Sequence, residues 1–259
     1  MTPPDLRLEP TAVRLGVVVD APQHSGLLGV LDYLSATALP PGTLVRVPLG
    51  RRVVTGVVWA TLPPSGEAPG LATEDLKAVT EVLDGLPALP PAWRQLVAFA
   101  AAYYQRGLGE MALMVLPPEL RQLDAVQLQR RLKRLDKALA TAPAAADAGA
   151  DADGSIRALP ELSAQQALAL SALAAGGARP FLLWGSTGSG KTEVYLRRAQ
   201  EALDAGQQVL MMVPEINLTP QLEARVAERF AGRRIVSLHS GLTPAQRLRN
   251  WVMALQGHA

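Results

Sequence analysis

The fold assignment rests on one segment, Phe181-Leu-Leu-Trp-Gly-Ser-Thr-Gly-Ser-Gly-Lys-Thr192. Residues 185–192 fit the pattern G-x-x-x-x-G-K-[ST] in full, and they follow an apolar run of strand length. Glycines let successive backbone N–H groups turn towards phosphate oxygens, and the N-terminus of a following helix adds about half a positive charge. The segment predicts a strand, a phosphate-binding loop and a helix. The alternative is a Gly/Ser-rich turn that contains Lys-Thr by chance.

The residues of the predicted nucleotide site are Gly185, Ser186, Thr187, Gly188, Ser189, Gly190, Lys191 and Thr192, with Gln166 in addition. Lys191 is expected to reach the β- and γ-phosphates of ATP, and the Thr192 hydroxyl to hold Mg²⁺. Gln166 lies on a predicted helix before the loop, where its amide could donate to and accept from the adenine edge. The alternative for Gln166 is a solvated surface glutamine.

The sequence around this segment alternates between apolar runs and amphipathic stretches. Residues 181–184, 208–213 and 234–238 have strand character, whereas residues 191–204 and 219–230 have helical character. Such alternation predicts an α/β lobe with a parallel sheet and crossover helices.

The N-terminal part is predicted to be β-rich and then helical. Residues 14–19, 43–48 and 53–59 are β-branched runs, and residues 49–52 between the last two predict a hairpin turn. An amphipathic helix is expected from Pro91 to near Arg106, and the period of residues 76–83 is ambiguous.

The middle of the chain separates these two parts. Residues 120–139 predict a helix that carries Arg130, Arg131, Lys133, Arg134 and Lys137. Residues 140–154 are rich in Ala, Asp and Gly and predict a flexible connector. The expected domains are therefore residues 6–120, residues 121–158 as basic helix and linker, and residues 159–259.

Composition narrows the class of protein. The 259 residues are 49% hydrophobic and 19% charged, which suits a globular chain, and no apolar run has the roughly 18–20 residues of a membrane span. The start lacks the pattern of a secretory signal. The absence of Cys excludes disulfides and thiolate zinc sites and fits a reducing cytoplasm, and the three His have no metal-ligand spacing. A net charge of +2 weakly favours nucleic acid.

Beside the phosphate loop, further strings stand out: residues 212–221, residues 238–242 with Arg247 and Trp251, residues 31–34, residues 41–50, residues 76–79, and Tyr103-Tyr104 ahead of Gly109. Together with residues 183–195 they resemble the superfamily 2 DNA helicases and, more narrowly, the primosomal protein N′ family of bacterial replication-restart helicases. The resemblance covers most of residues 12–120 and 160–259.

This resemblance implies an ATP-driven 3′-to-5′ helicase that acts at stalled forks in the cytoplasm, at the nucleoid. It implies a β-rich domain that binds the 3′ end of a DNA strand and a RecA-like ATP lobe, with primosome and single-strand-binding proteins as partners. Asp32 falls on the position that hydrogen-bonds the terminal base, a task that suits a carboxylate, whereas the alternative is a turn residue. The other residues that the resemblance places near DNA are Tyr33, Arg51, Arg52, Thr219, Gln221, His239 and Ser240.

Two departures from the family pattern set further expectations. Residues 120–160 are too few for the family's winged helix, so the basic helix is either a remnant of its duplex contacts or a solvated charged helix. No Asp-Glu-x-His motif, second lobe or zinc module follows residue 238, so we expect a partial lobe without zinc that binds DNA, does not unwind it, and binds nucleotide weakly or not at all. The rival hypotheses are a non-catalytic fork-binding regulator and an unrelated P-loop ATPase.

Overall fold

The computed structural model describes residues 12–21, 29–61, 76–141, 159–177, 179–213 and 219–259. These residues form two compact units. The first contains the described residues up to 141 together with Ser240–Gln256, and the second contains those from 159 to 239 with Gly257–Ala259. This division differs from the expected ranges 121–158 and 159–259, because the helices at residues 125–141 and 244–255 bury apolar faces within the first unit.

The first unit is built on an antiparallel sheet in the order β2-β1-β4-β3-β5. Its strands are β1 (Val13–Val19), β2 (Leu31–Ser35), β3 (Leu44–Leu49), β4 (Arg52–Thr61) and β5 (Glu81–Val82). The three strands predicted from β-branched runs are thereby confirmed as β1, β3 and β4. Strand β2 holds Asp32, so the alternative that Asp32 is a turn residue is wrong.

Residues 76–83, whose period is ambiguous in the sequence, contain β5 and link β2 to β3. The Leu34 N–H donates to the Lys77 carbonyl over 2.9 Å, and the Val79 N–H donates to the Leu34 carbonyl over 2.8 Å. On the other side the Thr80 N–H donates to the Arg46 carbonyl over 2.8 Å. The edge groups of β2 and β3 are therefore paired, and the sheet closes around a core. The core residues are Leu15, Val17, Val19, Ala21, Tyr33, Val45, Val47 and Val58.

Four helices complete the first unit: α1 (Pro91–Tyr103), α2 (Leu108–Met114), α3 (Ala125–Thr141) and α7 (Pro244–Leu255). Pro91 and Pro244 occupy first-turn positions, where a missing N–H costs nothing. Thr243 and Gln246 form a reciprocal capping box at the start of α7.

The predicted helix over residues 120–139 begins later than expected. Leu120–Gln122 form a 3₁₀ turn, and α3 begins at Ala125 because the Asp124 carboxylate accepts the Gln127 N–H at 2.7 Å. The Glu81 carboxylate also accepts the Ala125 N–H at 2.9 Å, which joins α3 to the sheet. Residues 140 and 141 of the predicted connector belong to α3, and its residues 142–154 lie outside the described residues.

The second unit contains α4 (Ala164–Ala175), α5 (Lys191–Asp204) and α6 (Thr219–Arg229), as the sequence predicts. A small core forms where Leu196 and Ala199 of α5 meet Phe230, with Met211 packed against it. No helix in the described part of the chain is long and apolar enough to cross a membrane.

The predicted parallel sheet is not formed among the described residues of this unit. Residues 181–184, 208–213 and 234–238 belong to no ladder, so the expected strands there are wrong for this structure. A parallel sheet is stable when helices cover both of its faces. Here Met211 is covered, whereas alternate apolar side chains remain 84–89% exposed: Leu182, Trp184, Leu210 and Met212.

We predict that Gly109→Ala unfolds the first unit more easily. A Cβ at Gly109 would lie 1.8 Å from the Val19 carbonyl oxygen, because the α2 backbone lies directly on the end of β1. Backbone cannot move aside as a side chain can, so we expect a loss of about 3 kcal/mol in the free energy of unfolding, measured by urea denaturation. Gly29→Ala is the matched control, since its Cβ would contact nothing within 4 Å. Equal stability of the two variants would contradict the prediction.

Candidate functional site

The phosphate loop has the backbone that its glycines predict. Gly188 and Gly190 have φ of 82° and 80°, a left-handed region that only glycine adopts without strain. Gly190 is also the N-cap of α5, so the first N–H groups of that helix lie next to the loop. The loop and the helix start together offer backbone donors and a partial positive charge, which fit a polyphosphate.

Lys191 lies over this loop. Its ammonium Nζ donates to the carbonyl oxygens of Gly185 and Ser186, both at 2.7 Å. The ammonium group is thus held above the loop by contacts that an incoming phosphate would replace.

Thr192 occupies the second position of α5 and is half-buried. Among the described residues no group of three His, Asp or Glu side chains could hold a metal ion. The role of the Thr192 hydroxyl as a Mg²⁺ ligand stays a prediction.

Gln166 lies beside the loop, but much of its amide is engaged. Its Oε1 accepts the Ser163 N–H at 2.8 Å as part of a capping box that begins α4, and its Nε2 donates to the Gly190 carbonyl at 3.2 Å. One lone pair of Oε1 and the second Nε2 proton therefore remain to reach a base. The adenine contact of Gln166 stays a prediction.

Sequence reasoning missed Glu193. Its Oε1 accepts from Arg197 Nε at 2.8 Å and from Arg229 Nη2 at 3.1 Å, so the first turn of α5 is tied to the last turn of α6. The i,i+4 spacing of Glu193 and Arg197 is visible in the sequence, whereas the contact with Arg229 depends on the tertiary fold.

Asp32 lies on the face of the sheet that points away from the core. Tyr33 beside it is in the core cluster, and successive residues of a strand face opposite sides. The Asp32 carboxylate forms an ion pair with Arg14, whose Nε lies 3.2 Å from Oδ2, and the Asp32 side chain keeps 21% of its surface exposed. Gly16 is paired directly across from Asp32 and has no side chain to cover it. Arg14 was missed from the sequence, where only its place in an apolar strand is unusual.

Tyr33 does not fit its predicted place at DNA. The side chain is only 4% exposed, and its hydroxyl donates to the Pro48 carbonyl at 3.0 Å. Burial raises the pKa of the Tyr33 phenol above its usual value of 10. Tyr33 is a core residue, because the alternation that exposes Asp32 turns its neighbour inwards.

Arg51 and Arg52 lie at the hairpin between β3 and β4, and the hairpin is confirmed. Leu49 pairs with Arg52, and Gly50 has a φ of 60°. Both arginine side chains are exposed, so they can contact phosphates from this turn.

The four remaining candidates lie at the start of α6 and just before α7. Thr219 begins α6, and the Gln221 side chain is exposed in its first turn. His239 is half-buried, and Ser240 is exposed before α7, with its carbonyl accepting from Arg247 at 3.3 Å. Residues 214–218, which the family resemblance also places along the path of single-stranded DNA, lie outside the described residues. A common DNA path for these residues stays a prediction.

Comparison with known proteins gives matches over both parts of the chain. The model of a 3′ DNA-binding domain of PriA matches residues 16–117, and the model of the DEAD/DEAH box helicases matches residues 163–256. Replication restart protein PriA of Haemophilus influenzae is 31% identical over 95% of this chain and 40% of its own length. The PriA proteins of Rickettsia felis and Treponema pallidum are 31% and 32% identical over 84% and 81% of this chain, and 29% of their own lengths.

The chain thus spans less than half the length of these relatives. The first match covers the closed sheet with Asp32, Arg51 and Arg52, and the second covers the phosphate loop. The chain belongs to the replication restart protein PriA family and corresponds to an N-terminal portion of those proteins.

Proposed function

We propose that this chain is the DNA-end-binding and nucleotide-binding portion of an ATP-dependent 3′-to-5′ DNA helicase that recognises stalled forks and initiates primosome assembly. The observation that carries the proposal is a partly exposed carboxylate, Asp32, on a sheet that matches a 3′ DNA-binding domain. A phosphate loop in the same chain supports the ATP dependence. Forked or single-stranded DNA, primosome proteins and single-strand-binding proteins are the proposed partners, at the nucleoid.

DNA-end recognition would divide between selective and unselective contacts. The Asp32 carboxylate can accept a hydrogen bond from a base amino group or from a free 3′-hydroxyl, and Arg14 holds it in one orientation. Arg51 and Arg52 would attract phosphates whatever the base sequence. An additional phosphate at the 3′ end would meet the negative charge of Asp32 and be repelled.

The nucleotide site would act through position and charge. Lys191 would exchange its loop carbonyls for the β- and γ-phosphates, and the start of α5 would donate backbone N–H groups. Bound Mg²⁺ would neutralise phosphate charge, with Thr192 as its ligand from this chain.

We further propose that this chain alone binds DNA without unwinding it and binds nucleotide weakly. The uncovered side chains of Leu182, Trp184, Leu210 and Met212 support this, since neither the run before the loop nor the run after α5 is held by strand pairing. The second candidate, a non-catalytic fork-binding regulator, draws on the same observation. An unrelated P-loop ATPase is disfavoured by the 3′ DNA-binding match.

We predict that Asp32→Ala removes the selectivity for a free 3′ end. Fluorescence anisotropy with forked DNA should show tighter binding to a leading-strand 3′-hydroxyl than to a 3′-phosphate in the parent chain. Loss of a hydrogen bond to a charged acceptor is worth about 2 kcal/mol, so the preference should fall by at least about tenfold. Asp20→Ala is the control with the same charge change, because Asp20 is exposed just after β1. A preference that persists in Asp32→Ala would remove Asp32 from the site.

We predict that the chain releases no phosphate from ATP above the level of Lys191→Ala, with or without single-stranded DNA. Binding of a fluorescent Mg²⁺–ATP analogue should be weak and should fall about tenfold in Lys191→Ala, because one charge-assisted contact is lost. Arg198→Ala removes an exposed cation from the same helix and should change nothing. DNA-stimulated turnover by this chain would refute its proposed inactivity.

A further inference from the structure

Helix α3 holds all of the net positive charge of the chain. The chain has 25 basic and 23 acidic residues, and α3 contributes five basic residues and one acidic residue. The other residues therefore carry 20 basic and 22 acidic side chains, a net charge of −2. The long-range attraction of this chain for a polyanion is consequently strongest at α3, with Arg51 and Arg52 as a smaller local source.

The helix separates its charges from its apolar side. Leu128, Leu132 and Leu135 are buried against the first unit. Arg130, Lys133, Arg134 and Lys137 recur at the i, i+3, i+4, i+7 spacing of one helical face, and all four are exposed. Within the described ranges none of these four forms an ion pair, and the fifth basic residue, Arg131, pairs with Glu119.

Helix α7 extends this charged surface. A groove of about 260 Å³ runs between α3 and α7, with an apolar floor. Arg131 and Arg134 line it from α3, and Arg249 lines it from α7. The charge is therefore arranged over two helices of one unit that line the same groove.

We propose that the exposed basic face of α3, defined as Arg130, Lys133, Arg134 and Lys137, binds the sugar–phosphate backbone of duplex DNA, with Arg249 at its margin. The inference deepens the proposed DNA function and rests on it. Duplex DNA carries one charge per about 1.7 Å of its axis, and the face extends about 10 Å along α3, so four contacts can form together. The face has no exposed aromatic side chain for base stacking, which favours backbone contacts over single-strand recognition.

The test measures the salt dependence of binding to a covalently closed dumbbell duplex, which has no 3′ end, and to a fork with a free 3′-hydroxyl. Each phosphate contact contributes about 0.9 to the slope of log K against log salt concentration. Lys133→Gln with Lys137→Gln should reduce that slope by about two on both DNAs and weaken binding about tenfold at low salt. Glutamine keeps the helix, so circular dichroism should not change.

Arg198→Gln with Arg233→Gln is the matched control, since it removes two exposed charges from the second unit. An unchanged slope in the α3 variant, or an equal fall in the control, would overturn the proposal. The 3′-hydroxyl preference should survive in the α3 variant, because that selectivity belongs to Asp32. The parent chain could lack the 3′-hydroxyl preference while the α3 variant still shows a smaller salt-dependence slope. In that case the end-recognition proposal fails and the proposed DNA-backbone site on α3 stands.

Discussion

Pairing of residues 77–83 with both edges of the sheet is the constraint on which the first unit depends. These residues bond to Leu34 of β2 on one side and to Arg46 and Leu44 of β3 on the other. Closure removes two exposed edges and encloses a core that a flat five-stranded sheet would leave half open. It also fixes which residues face outwards, so the exposure of Asp32 and the burial of Tyr33 are one consequence of the same backbone pairing.

The same segment supports α3. Glu81 accepts the first N–H of that helix, and the carbonyl of Asp84 accepts from Gln129 at 2.8 Å. Arg46 and Thr55 add hydrogen bonds to the Arg121 carbonyl just before α3, at 3.2 and 2.8 Å. The basic helix is thus joined to the sheet at several backbone points, and its charged face has a defined direction.

Local signals in the sequence predicted the parts whose causes are local. The β3–β4 hairpin follows from Gly50, and the loop backbone follows from its glycines. The capping box of Ser163 and Gln166 that begins α4 is also local, although the box itself was not predicted. Residues 77–83 escaped prediction because their partners are distant in sequence, and Arg14 and Arg229 escaped for the same reason. The parallel sheet of the second unit was predicted from the alternation of apolar runs with helical stretches, yet ladders need covered faces as well as suitable residues.

The two proposals assign affinity and selectivity for DNA to different residues, and the distribution of charge along the chain explains this division. In the proposed function Asp32 discriminates among strand ends, although its negative charge adds repulsion rather than general attraction to DNA. With a net charge of −2 outside α3, the chain has little long-range attraction to offset that repulsion apart from α3 itself. On these two proposals, Asp32 would supply selectivity while the basic face of α3, in the same unit, would hold the DNA backbone. The ion pair with Arg14 has a different role from the α3 charges. It orients the Asp32 carboxylate and does not reach the phosphates that α3 would contact.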